Sequence, residues 1–108
     1  MITNYFSLNQ ELLDELHSKL GDILVVTKSR TDAVNFYNEL LLSYKNNTGS
    51  VICSKSELEV SCKAHRITIR AVKNKEDLNG LKGRRFTKIY AVGFYNDSDF
   101  EFLTTWLK

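Results

Sequence analysis

The chain has 108 residues, of which 43% are hydrophobic and 26% charged, and its formal net charge is +2. That length and composition fit one globular domain over residues 1–108, exclude disorder, and leave no room for a catalytic module beside a core. No apolar run approaches the ~18–20 residues that cross a bilayer, and residues 1–19 lack a basic start followed by an apolar block, so the expected setting is the cytoplasm with no membrane partner.

Residues 7–20, SLNQELLDELHSKL, carry the clearest helical pattern. Leu8, Leu12, Leu13, Leu16 and Leu20 form one apolar stripe at helical spacing. Ser7 with Gln10 matches a capping box, and Gly21 is a natural stop because it tolerates positive φ. In this reading no strand precedes the helix, and Tyr5 and Phe6 serve as a hydrophobic staple or a docking point. Residues 23–26 are a continuous aliphatic run, which predicts a strand covered on both faces at the centre of a parallel sheet. Thr31 or Ser29 then caps a second helix over 32–44, with Ala33, Phe36, Tyr37, Leu40, Leu41 and Tyr44 on its apolar face. Residues 45–50, KNNTGS, read as a turn.

The middle third changes period. Leu58, Val60 and Cys62 alternate with Glu57, Glu59 and Ser61, and Ile67, Ile69 and Ala71 with Arg66, Thr68 and Arg70, which predicts strands with one wet face. Residues 51–54 read either as a further short strand or as part of the approach to the hairpin of these strands. Residues 74–83 hold two glycines and read as a loop, 88–94 as the last apolar strand, and Asn96 or Ser98 caps a closing helix. Strands alternating with helices predict an α/β fold: a three-layer domain with a mixed, partly parallel sheet flanked by helices, antiparallel strands being added at an edge.

Residues 21–41, GDILVVTKSRTDAVNFYNELL, resemble the second strand and following helix of RecA-like motor ATPases, above all phage terminase large subunits and superfamily 2 helicases. Residues 66–92, RITIRAVKNKEDLNGLKGRRFTKIYAV, are similar to their next segment, which runs into the strand bearing a magnesium-binding Asp-Glu pair. The resemblance covers residues 21–94 and implies a truncated, degenerate motor core of phage or mobile-element type. The departures are chemical. No Gly-x-x-x-x-Gly-Lys-Ser/Thr occurs in the chain, so the P-loop cradle and its lysine are missing. Gly93 and Phe94 stand at the acidic-pair positions, and neither can ligate a metal.

No constellation predicts catalysis, a cofactor or a metal. Cys53 and Cys62 read as free thiols, and the Cys-x8-Cys-x2-His pattern of Cys53, Cys62 and His65 does not match the short spacings of a structural zinc site. His65, set among charges, is expected to be exposed, and His17 lies just off the apolar stripe. Glu57/Glu59 and Asp97/Asp99 read as a wet face and a helix first turn. Charge, by contrast, is uneven. Residues 63–88 hold nine basic side chains (Lys63, Arg66, Arg70, Lys73, Lys75, Lys82, Arg84, Arg85, Lys88) against Glu76 and Asp77.

Two partner classes follow. Arg66, Arg70, Lys82, Arg84, Arg85 and Lys88 are candidates for nucleic-acid backbone or phosphate, with Phe86, Tyr90 and Tyr95 as rings on which bases stack. Nucleotide or phosphate binding without hydrolysis is a variant of that reading. Tyr95, Phe102 and Trp106 are candidates for an interface with another protein or a second copy. The modest net charge favours protein interaction, with a host factor or assembly component, over a dedicated nucleic-acid binder. The expected protein is non-enzymatic and acts in the cytoplasm, the host's if phage-encoded.

Overall fold

The structure, a computed structural model, describes residues 2–5, 10–44, 52–56, 58–62, 65–72, 81 and 84–92. Its elements in chain order are β1 (Ile2–Tyr5), α1 (Gln10–Ser18), β2 (Gly21–Thr27), α2 (Arg30–Ser43), β3 (Ile52–Ser54), β4 (Glu59–Ser61), β5 (His65–Ala71) and β6 (Lys88–Val92). They form one six-stranded sheet of order β1-β6-β2-β5-β4-β3. The first four strands of that order run parallel, and the β3–β4–β5 ladder is antiparallel. The expected mixed, partly parallel α/β architecture is present, with the antiparallel strands at one edge.

Handedness explains how the layers form. The β1-α1-β2 crossover and the α2 crossover from β2 toward β5 step the same way across the sheet, so right-handed connections place both helices on one face. There Leu12, Leu13 and Leu16 of α1 and Phe36, Tyr37 and Leu40 of α2 pack with Ile23, Val25, Ile67, Ile69 and Tyr90 in one core. Of the β5–β6 connection, the described residues ahead of β6 meet the other face. Arg84 of that connection bonds side chains on that face. Leu24, Val26, Ile89 and Ala91, which alternate with the helix-facing residues, are all fully buried too. Both faces are therefore covered, the condition the aliphatic run of β2 implies.

Several local expectations need correcting. A strand does precede the first helix: β1 pairs in parallel with β6, Ile2 opposite Ile89 and Tyr5 opposite Val92. Its sequence, ITNY, has no strand period of its own, and the partner strand creates it. The helix α1 ends at Ser18, so Leu20 leaves the apolar stripe and is 72% exposed. Ser29 is the cap of α2, its hydroxyl accepting from the Asp32 N–H at 3.1 Å. Leu58 takes φ +51° ahead of β4 and buries its side chain beside Val60. The predicted turn at 45–50 and the closing helix fall outside the described residues. Among the described residues no helix is long and apolar enough to cross a membrane.

Gly21 opens β2 with φ +94°, and a Cβ there would lie 3.0 Å from Thr87 Oγ1 and 3.1 Å from its Cγ2. Thr87 has little freedom to retreat, since its hydroxyl donates to the Asp22 carbonyl at 3.0 Å and its N–H to the same oxygen at 2.8 Å. Gly21→Ala is expected to cost about 1–2 kcal/mol. Urea denaturation checks this, and a loss within measurement error would show that the backbone is not held at positive φ.

Candidate functional site

The basic segment meets the sheet on the face opposite the helices. Register sets the meeting: β2 and β5 pair Asp22 with Arg66, and β4 and β5 pair Glu59 with Thr68. Period-two alternation then presents Asp22, Glu59, Arg66 and Thr68 on one surface. Arg84 reaches down onto them. Its Nη1 donates to Glu59 Oε1 at 3.0 Å, and its Nη2 donates to Asp22 Oδ1 at 3.0 Å and to Thr68 Oγ1 at 3.1 Å. Behind the guanidinium lies the Phe86 ring, with 5.0 Å from Cζ to the centroid.

Glu59 Oε1 is the focus of this cluster. It accepts from Arg66 Nη2 at 2.9 Å and from Thr68 Oγ1 at 2.9 Å, besides Arg84. Burial pushes the Glu59 carboxyl up, but the hydrogen bonds from Thr68 and Arg84 and the charges of Arg66 and Arg84 outweigh it and hold the group below its usual value. Two carboxylates thus balance two guanidiniums. The glutamate side chain is 16% exposed and the arginine 22%, so solvent screens the cluster only in part.

The remaining basic candidates do not converge there. Arg70 shares the face of Arg66 and donates to its neighbour's carbonyl, Ile69 O, at 2.9 Å. Arg85 is exposed and donates to Arg84 O at 2.9 Å. Lys88 pairs with Ile23, which puts it on the helix-covered face, where its ammonium lies 5.5 Å from the Tyr90 ring centroid. Phe86 and Tyr90, candidate stacking rings, are fully buried. Lys82, Tyr95, Phe102 and Trp106 lie outside the described residues, as do Gly93 and Phe94. In the sequence Glu59 reads only as part of a wet strand face, and Asp22 does not stand out. The position of Glu59 in the period-two pattern was the available signal, and nothing local marked Asp22.

His65 corrects another expectation: it is 5% exposed, held between α1 and α2 rather than in water. Its Nδ1 lies 2.9 Å from Lys19 O, and its Nε2 2.5 Å from the Tyr44 hydroxyl. Nearby, His17 Nε2 is 2.7 Å from Ser43 Oγ. That spacing would suit a nucleophile and its base, but the Ser43 hydroxyl donates to Leu40 O, so Oγ accepts from the imidazole and is not activated. Cys53 and Cys62 are free thiols. Among the described residues no cluster of His, Cys, Asp and Glu has a metal-binding arrangement. The chemistry on display is pairing of charges and hydrogen-bonded side chains, without an activated nucleophile in the described region.

Compared with known proteins, the chain matches no family model, no curated protein and no solved structure.

Proposed function

We propose that the protein is a non-enzymatic binding protein that works through contact with another protein in the cytoplasm. What carries this reading is the internal pairing of Arg66 and Arg84 with Glu59 and Asp22. Two guanidiniums that would hold phosphate are already engaged, which weakens the case for a nucleic-acid surface. The β3 edge supports the protein-binding reading from the other side. Ile52 is 74% exposed, and Ile52, Cys53 and Ser54 carry no charge. A partner with an apolar side chain would pack on Ile52 there.

The phage or mobile-element setting rests on the resemblance of residues 21–94 to motor cores. The parallel pairing of β2 with β6 is compatible with that kinship. Absence of the P-loop motif from the chain supports a scaffold that binds without hydrolysing.

The test is affinity capture from host lysate with the wild-type chain and with Ile52→Lys, a change at an exposed side chain that leaves the core alone. A protein retained by the wild type and lost with Ile52→Lys is the expected result. Salt-sensitive retention on DNA or RNA, abolished by Arg85→Glu, would replace this reading with nucleic-acid binding, and magnesium-dependent ATP turnover by the pure protein would end the non-enzymatic one.

A further inference from the structure

We propose that His17, Tyr44 and His65 form an acid-sensitive latch that ties the ends of α1 and α2 to the start of β5 and loosens when either imidazole is protonated. This inference stands apart from the binding reading and does not depend on it.

Counting donors places one hydrogen on each ring. A carbonyl only accepts, so the 2.9 Å contact of His65 Nδ1 with Lys19 O puts the ring hydrogen on Nδ1. Nε2 then holds a lone pair, and the Tyr44 hydroxyl donates to it. In the same way Ser43 gives its hydrogen to Leu40 O, so His17 donates from Nε2 to Ser43 Oγ. His65 is neutral in this pattern, and the Nε2 hydrogen that His17 gives to Ser43 is present in either charge state of that ring. The Tyr44 ring sits edge-on between the two imidazoles, 4.4 Å from the His17 centroid and 6.1 Å from that of His65. One run of contacts thus joins the Lys19 carbonyl after α1, the end of α2 and the first residue of β5. The β4–β5 turn is tied in through the Cys62 N–H, which donates to His65 O at 2.9 Å.

A second proton on His65 would place an N–H at Nε2, aimed at the hydrogen that Tyr44 now donates. The phenol would have to turn its hydrogen away from the contact. A second proton on His17 would set a positive charge beside Tyr44 and facing His65. The ionisable groups that act on the cluster, among the described residues, are Asp14 on α1, Tyr44 at the C-cap of α2 and Cys62 before β5. Lys19 turns its ammonium to Glu15 at 3.8 Å. Only Asp14 favours a cation at His17. Burial first, and His65 second, outweigh it and lower the His17 pKa from 6.5. Burial and Cys62 push the Tyr44 phenol far up, so it keeps its hydrogen throughout.

The sign follows from linkage. A histidine whose folded pKa is depressed contributes stability above its unfolded pKa and loses that contribution as pH falls through it. The loss therefore begins near pH 6.5, above the acid range in which Glu59 titrates. Thermal unfolding of the full chain between about pH 8 and about pH 5 should show the midpoint falling by about 4 °C or more. Tyr44→Phe, which keeps the ring and removes the donor, should flatten that slope. By ring-proton NMR, His17 should titrate at higher pH in His65→Gln than in the wild type. A flat wild-type profile, an unchanged slope in Tyr44→Phe, or the same His17 titration in both proteins would overturn the latch. If His65→Gln does not fold, the Tyr44→Phe comparison decides alone.

Discussion

Replacing Arg84 with methionine is expected to lower the free energy of unfolding by about 2–3 kcal/mol, although the side chain lies in a connection between strands. Methionine keeps most of the apolar stem over Phe86 and removes only the guanidinium. Asp22 then loses the ion pair that Arg84 makes with it, and Glu59 retains Arg66 and Thr68 as partners. Breaking a fully buried pair costs about 3–5 kcal/mol, and the lower figure here reflects the partial exposure of this cluster. The acid limb gives a second readout. In the wild type, Glu59 has a depressed pKa, so its contribution is present above the ordinary carboxylate value and is lost as pH falls through the folded one. Without Arg84 the burial effect gains weight, and the loss moves to higher pH. Urea denaturation over a pH series measures both effects. A cost below about 0.5 kcal/mol, the usual scale of a surface substitution, would mean that Arg84 is a solvated side chain after all.

How much of this was legible in the sequence differs between elements, for physical reasons. The core of β2 was readable because four consecutive aliphatic residues are rarely tolerated in a strand with a wet face. The cap of α2 was readable because a serine hydroxyl ahead of a helical stripe has a specific job. β1 was not, since ITNY becomes a strand only when β6 offers it a neighbouring ladder. The basic patch failed for a related reason. Alternation tells which residues of one strand share a face, yet the phase of one strand against another is set by register. Arg66 and Lys88 thus end on opposite sides of the sheet although both belong to the same basic stretch. The neutralising partners of Arg66 and Arg84 come from β2 and β4, far away in sequence or across a hairpin. His65 shows the same limit. Flanking charges suggested water, while Lys19 and Tyr44, brought close only by the fold, supply the partners that let an imidazole be buried.

Phe86→Ala should be about as damaging as any substitution in the basic segment, costing about 3–5 kcal/mol. In the sequence Phe86 sits between Arg85 and Thr87 and reads as a ring on which a base could stack. In the fold it is fully buried. It lies just ahead of β6, and Arg84 closes over its ring. Truncation removes a large apolar volume where the central strands are already close-packed, so the site cannot collapse to fill it. Because Arg84 leans on the ring, the two substitutions should not add. A double-mutant cycle of Arg84→Met and Phe86→Ala should show a coupling of about 0.5–1 kcal/mol. Chemical denaturation of the four proteins measures it. If Phe86→Ala costs less than about 1 kcal/mol, the ring is not in the core, and a surface for stacking bases becomes the better account of this segment. The expected large loss instead makes Arg84 and Phe86 one unit: the aromatic ring anchors the crossover in apolar surroundings, and the guanidinium above it ties that crossover to β2, β4 and β5.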